Sequence, residues 1–208
     1  MLKERVYQAI KHRIILQDLK PGDRLNEREL MEEYTIGKTP LREIFLRLQH
    51  EGLIRRFPRS GTIVSPIDFK ELRDAAEIRL ELEGLVAKLA VRRISPRDIK
   101  KMEDLIGEME RAFSGGALNE EFIEAETSLH TLLYELTDNS RLKAIIVEQH
   151  SLFARLWFSA ERTGMDLRGQ IDDWKTLYAA CRDKDEERAA AINREHFHTF
   201  YDFLRGNF

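Results

Sequence analysis

Cysteine is almost absent from this chain. Cys181 stands alone among 208 residues, which excludes an intramolecular disulfide framework and points to a reducing compartment, the cytoplasm. Its neighbours suggest a small core residue on a helix. Long apolar runs are absent as well: no stretch approaches the ~20 residues needed to cross a bilayer, so no membrane partner is expected. The first residues, MLKERVYQAIKHRIIL, alternate charge with apolar side chains at helical spacing and do not read as a secretory signal. There is no internal repeat and no low-complexity segment. What remains has 42% hydrophobic residues, enough for one or two packed domains.

Charge is uneven along the chain. Residues 1–66 carry +4 and the rest −7, around a net charge of −3, as suits a polyanion reader joined to a solvated regulatory module. In the basic part, Val6, Ile10, Ile14 and Ile15, with Leu2 before them, make one apolar helix face. The turn sequence Leu19-Lys20-Pro21-Gly22 follows. Asn26 with Glu29 three residues on predicts a capped second helix, with Leu30 and Met31 facing inward. After Tyr34-Thr35-Ile36-Gly37, Thr39 is expected to cap a third helix with Pro40 at its first position. Leu41, Ile44, Phe45 and Leu48 form the buried stripe of that helix, and Gly52 stands where a left-handed residue stops it. Leu53–Phe57 and Thr62–Val64 then read as a two-stranded hairpin around Pro58-Arg59-Ser60-Gly61. This is a winged helix-turn-helix, and its first candidate partner is double-stranded DNA.

The solvent face carries the chemistry. Lys38, Thr39 and Arg42 sit at the start of the second helix of the motif, the end that meets base edges in the major groove. Arg42 can hold guanine with two hydrogen bonds. Arg28, early in the preceding helix, can reach a phosphate or a neighbouring base. Arg59 supplies charge at the hairpin tip, and Gly61 lets the backbone approach a sugar-phosphate. The run PGDRLNERELMEEYTIGKTPLREIFLRLQHEGLIRRFPRSGTIV resembles the DNA-binding domain of GntR-family bacterial transcription regulators, over residues 3–66. The resemblance implies that Arg28, Lys38, Thr39 and Arg42 are helix contacts and that Ser60 and Gly61 are wing contacts. The family usually has Ser/Thr-Arg where this chain has Gly37-Lys38. Lysine is a point charge and not a two-pronged donor, so a different or less strictly read operator is expected.

Beyond Asp68 the pattern is entirely helical. Asp68 with Glu71 opens a helix to about Arg93, and Ser95-Pro96 opens one that fades at Gly115-Gly116. Asn119 caps a third to about Thr137, and Ser140 a fourth to about Arg162. Gly164 and Gly169 bracket a loop before a fifth near 170–183, and Asp185 caps the last, near 186–205. Ile78, Leu82, Leu85, Val86 and Leu89 keep helical spacing in the first, as do Leu129, Leu132, Leu133 and Leu136 in the third. The expected fold class is therefore mostly α: an N-terminal winged helix-turn-helix over residues 1–66 and a C-terminal six-helix antiparallel bundle over residues 69–208. Ser65-Pro66-Ile67 is the boundary between them.

This second part resembles the FCD ligand-binding domain of the FadR branch, nearer its VanR subgroup. The residues that carry the resemblance are Arg79-x-x-x-Glu83, Glu126-x-x-x-His130, the Asp138-Asn139 turn and His196. Most such domains coordinate a metal through an Asp-x-x-x-His pair and two further histidines, which implies Glu126, His130 and His196 as ligands here. Trp174 occupies the remaining position and cannot ligate. Glu126 and His130 lie four apart on one helix face, as two ligands of one ion would. Three ligands completed by water or an effector carboxylate could hold zinc or nickel. Alternatively the site is metal-free, with Trp174 stacking on an organic effector, or Glu126 and His130 are simply a helix pair. Arg79 and Arg155, turned inward, would recognise a carboxylate effector or pair with Glu83 or another acid. His12, His150 and His198 match no role.

The leading expectation is an effector-responsive repressor, released from a near-palindromic operator by a small organic acid and acting as a homodimer, because one recognition helix reads half a site. Two rivals stand beside it. One is a metal-dependent hydrolase built on Glu126, His130 and His196, which leaves the basic wing unexplained. The other is a DNA-binding dimer without an effector.

Overall fold

The computed structural model describes residues 2–58, 61–116, 118–157, 160 and 164–207. Arg59 and Ser60, two of the expected wing contacts, lie outside the described residues. The elements are α1 (Leu2–Ile15), β1 (Arg24–Leu25), α2 (Glu27–Glu33), α3 (Lys38–His50), β2 (Ile54–Phe57), β3 (Gly61–Val64), α4 (Phe69–Arg93), α5 (Pro96–Ala112), α6 (Glu120–Leu136), α7 (Ser140–Ala154), α8 (Leu167–Arg182) and α9 (Glu186–Asn207). They form two compact units, Met1–Leu72 with Glu148–Leu156, and Arg73–Val147 with Trp157–Phe208.

The first unit is closed by one apolar core, to which α1 gives Val6, Ile10 and Ile14 and α3 gives Leu41, Ile44, Phe45 and Leu48. Leu2 does not join that face; it is exposed. Helix α2 starts where it does because the Asn26 side chain accepts from the backbone N–H groups of Arg28 and Glu29, at 3.0 and 3.4 Å. The reciprocal bond comes from the Asn26 side-chain amide to Glu29, at 2.7 Å, and not from the backbone as in a strict capping box. Thr35, at φ +51°, makes the turn. Helix α3 begins at Lys38, capped by an extended Gly37 that offers no side-chain bond, so Thr39 is not the cap. Pro40 falls third in the helix, where its missing N–H has no intrahelical partner to lose.

The wing is a three-stranded sheet in the order β1-β3-β2. Strands β2 and β3 pair antiparallel from Ile54↔Val64 to Phe57↔Gly61, and β1 pairs with β3 through Leu25↔Thr62. Two residues show no alternation, which is why β1 escapes a reading of the sequence. Gly52 ends the recognition helix at φ +69°, and a Cβ there would lie 2.9 Å from Leu152 Cδ2. Residues 148–156 belong to this unit through polar contacts too. Lys11 Nζ lies 2.8 Å from Glu51 Oε2 and 2.9 Å from Ser151 Oγ. Gln17 donates to the Arg155 carbonyl at 2.8 Å. The boundary read at Ser65-Pro66-Ile67 did not anticipate this segment.

In the second unit each helix start has a local cause. Ser95 and Asp98 form a full capping box at α5, with Pro96 in the first turn. Asn119 accepts from Phe122 N at 2.9 Å, Asn139 rather than Ser140 accepts from Leu142 N at 3.1 Å, and Asp166 accepts from Gly169 N at 3.0 Å. Asp166 starts α8 at Leu167, ahead of the position expected from the glycines. Helix α7 ends at Ala154, not near Arg162, because Arg155 and Leu156 turn away from the helical path. Met102, Ile106, Phe122, Leu129, Ile171 and Phe197 are among the buried core.

Helix α4 departs most from the expected pattern. Ile78 and Leu85, read as core, are 48% and 42% exposed. Val86 of that stripe is buried, and Ala76, Arg79, Glu83 and Ala90 share its side. Small residues let a neighbouring helix come close. At Gly84 an added Cβ would lie 2.6 Å from the Arg194 guanidinium of α9.

Candidate functional site

Two sites emerge, one in each unit. In the first, Arg28, Lys38, Thr39 and Arg42 are all exposed on α2 and α3. Arg28 makes an i,i+4 pair with Glu32 at 2.9 Å, but its side chain is 84% exposed, so the pair costs little to open. Gly61 adopts φ +96° with nothing within 4 Å of a built Cβ, leaving the wing backbone open to close approach. A concave space of about 450 Å³ is lined by Glu27, Arg42, Gln49, Arg56, Phe57 and Gly61 among others. The α3 face and the wing therefore share one surface. Gln49 and Arg56 were not anticipated as part of it. Gln49 follows Arg42 by two helical turns and so continues its face.

The second site is buried. Arg79 on α4 donates Nε to Glu83 Oε1 at 2.7 Å and Nη2 to the Tyr134 hydroxyl at 3.4 Å, and its guanidinium lies 4.1 Å from the centre of the Phe197 ring. Tyr134 gives its own proton to Glu83 Oε1 at 3.2 Å. Asn193 on α9 donates to the second Glu83 oxygen at 2.7 Å and to its carbonyl at 2.9 Å. His130 Nε2 lies 2.8 Å from Glu126 Oε1, and Nδ1 lies 3.3 Å from the Tyr134 hydroxyl. Helical spacing unites these groups: 79 with 83, 126 with 130, and 130 with 134 are each one turn apart. Trp174 on α8 completes an aromatic cluster, its ring centre 4.9 Å from that of His130 and 5.1 Å from that of His196. His196 turns Nδ1 to Asp173 Oδ2 at 3.2 Å.

Most of these groups are buried, and they are paired with one another. Burial pushes the Glu126 carboxyl up, but His130, then His196 and Arg79, outweigh it and hold it below the usual range. Burial, then the Glu83 carboxylate, push the Tyr134 phenol well up, so it stays a neutral donor. Removing one member of such a network exposes the full desolvation penalty of its partner. Among the described residues, Trp174 Nε1, Gln170 Oε1 and Asn193 Oδ1 have no hydrogen-bond partner. Each residue is at most 1% exposed. A buried unsatisfied group costs about 1–3 kcal/mol, a cost that ordered water or a ligand lifts.

The expected effector arginines are accounted for differently. Arg79 is turned inward, as one of its two readings required, but its guanidinium serves Glu83. Arg155 belongs to the first unit, where Nη1 donates to the Ser65 carbonyl at 2.9 Å. Burial pushes its guanidinium down to about 10, with Glu71 raising and Arg55 lowering it. Its role there is to hold the backbone where the wing ends.

Of the expected metal donors, His196 is engaged by Asp173, and Trp174 packs against the rings of His130 and His196. Glu126 and His130 do offer an oxygen and a nitrogen side by side, and that pair is what a divalent ion would use.

Comparison with known proteins now decides the family. Residues 2–64 match the bacterial regulatory proteins of the gntR family, and residues 74–199 match the FCD domain. The chain belongs to the GntR family, with an FCD C-terminal domain. This GntR-family protein is 26% identical over 203 residues to the HTH-type transcriptional regulator YdhC of Bacillus subtilis, covering 96% of this chain and 89% of YdhC. It is 24% identical over 200 residues to the HTH-type transcriptional repressor GlaR of Escherichia coli, covering 93% and 91%. Among solved structures, E. coli McbR/YncC superposes with a TM-score of 0.84 at 25% identity, covering 99% of this chain and 98% of that one. The regulator is thus a DNA-binding transcription regulator and not an enzyme, which removes the hydrolase alternative. No helix among the described residues is long and apolar enough to cross a membrane.

Tyr134, Asn193, Gln170 and Asp173 are the bundle residues that the sequence did not single out. Their one available signal was spacing from residues that were: Tyr134 follows His130 by four, Gln170 precedes Trp174 by four, and Asn193 precedes His196 by three.

Proposed function

We propose that this regulator is a cytoplasmic, effector-responsive repressor that binds a near-palindromic operator as a homodimer and leaves it when a small organic molecule enters the bundle network. DNA binding itself follows from the family. The observation that carries effector response is the buried network around Trp174, with three polar atoms unanswered. A domain that only dimerised would gain nothing from burying Arg79, Glu83, Glu126 and His130.

Arg42 reads a base edge, Arg28 and Lys38 fix the register on phosphates, and Thr39 and the Gly61 backbone support them. Arg59 is assigned to the wing tip by its charge and its place in the turn, and Ser60 by resemblance. Dimerisation draws support from α4, where Ile78 and Leu85 lie exposed two turns apart on one face. A second copy would cover that stripe and supply the matching half-site reader. A second reading keeps a divalent zinc or nickel ion on Glu126 and His130, favoured by their 2.8 Å approach and opposed by Trp174.

The test selects an operator from random duplexes with the full-length protein and measures its affinity with and without a small-molecule cell extract. Loss of affinity in the extract, abolished by Trp174→Ala, is the expected result. An operator affinity that no fraction alters would leave a DNA-binding dimer without effector. Metal analysis of chelator-free protein, with Glu126→Ala as control, decides the second reading.

A further inference from the structure

The three unanswered atoms specify a ligand. Trp174 Nε1 can only donate, whereas Gln170 Oε1 and Asn193 Oδ1 can only accept. Gln170 and Trp174 share one side of α8, four residues apart, and both are 1% exposed. Asn193 lies on α9 one turn before His196, whose ring touches Trp174. Its amide is pinned to Glu83 by two hydrogen bonds, so its oxygen has a set direction.

The charges nearby are already matched among the described residues. Arg79 serves Glu83, His130 lies against Glu126, and His196 against Asp173. An incoming carboxylate would find no uncommitted cation and two buried carboxylates, Glu83 and Glu126. A hydroxyl group, by contrast, donates and accepts at once, so a molecule bearing several of them meets donors and acceptors alike without adding charge. Resting on the effector reading above, we propose that the bundle network binds an uncharged polyhydroxylated ligand, a polyol or sugar, and not the organic acid that Arg79 first suggested. The indole N–H reads an oxygen lone pair, and the two amide oxygens read hydroxyl protons.

The experiment uses full-length protein carrying Trp157→Phe, so that fluorescence reports Trp174 alone. Trp157 stacks on Phe200 at 4.6 Å, and phenylalanine preserves that contact. Xylitol and sorbitol are titrated against xylonate and gluconate, which keep the carbon skeleton and add a carboxylate. The expected result is a Trp174 emission change and a rise in Tm with the neutral members. Each aldonate should bind at least about tenfold more weakly, the scale of one lost hydrogen bond. Trp174→Phe, read by the Tm shift alone, and Gln170→Met remove one polar group each while retaining bulk, and each should weaken neutral binding about tenfold with the unliganded Tm not lowered. Equal or tighter binding of the aldonates overturns the neutral class and leaves the effector reading standing. Silence across the neutral set also overturns it, the three atoms then being met by ordered water. The effector reading fails separately, when no fraction of the extract alters operator affinity.

Discussion

Arg42 on α3 and Arg79 on α4 are the same side chain put to opposite uses. Arg42 stands in solvent over an apolar core, uncommitted in position and ready for a base or a phosphate. Arg79 is 3% exposed and held by Glu83, Tyr134 and the Phe197 ring. The first unit sets an exposed basic face over one apolar core, with Leu2, Leu46 and Phe57 left outside it. The second puts charge inside and leaves Ile78 and Leu85 outside. Under the function proposed above, the difference follows from what each recognises. A DNA polyanion needs exposed cations that shed counterions on contact. A small molecule needs a dry, oriented set of polar groups.

If the contrast is real, breaking the buried network should harm folding most. Glu83→Ala strands Arg79 without its carboxylate and should cost about 3–5 kcal/mol, seen as a lowered urea midpoint; a loss within the range of a surface change would mean the network is not dry. Arg42→Ala should do the reverse, weakening operator binding by about 1–3 kcal/mol with the unfolding curve unmoved. A variant that unfolds earlier would place Arg42 in the structural frame. Asn26→Ala removes the cap that starts α2 and should lower stability by about 1 kcal/mol in thermal unfolding, while operator sequence preference stays unchanged. The smallest effect is in pH. The Glu126 carboxyl is held below its ordinary value of 4.5 in the folded protein, so its contribution is full above that value and fades as pH falls through the lower folded value. Glu126→Gln should flatten the acid limb of a stability-pH curve, and an unchanged slope would show that the carboxylate is not charged in the fold.

The exposure of the cations on α2 and α3 is legible in the sequence, and the direction of Arg79 is not, for one reason. A surface cation at the start of a recognition helix is visible from local rules: the turn before it, the apolar stripe behind it, the proline beside it. Lys38 and Arg42 needed nothing more. Whether Arg79 meets Glu83 or an effector depends on which way α4 rotates against its neighbours, and helical spacing allows both. Ile78 and Leu85 show the same ambiguity from the other side. An apolar stripe looks identical whether it faces the core of its own bundle or a surface.

The sequence by itself determined the elements and their order, because caps, turns and apolar periodicity act within a few residues. It also determined which residue types were available in the bundle, including the tryptophan where a metal-binding histidine would stand. Only the tertiary structure decided the inward pairing of Arg79, the attachment of Arg155 to Ser65, the third strand of the wing and the three polar atoms left without partners. Those outcomes depend on contacts between residues far apart in the chain, whose distances no local pattern encodes. The strand pairing of Leu25 with Thr62 and the bond from Asn193 to Glu83 exist only once the helices and strands have been brought together.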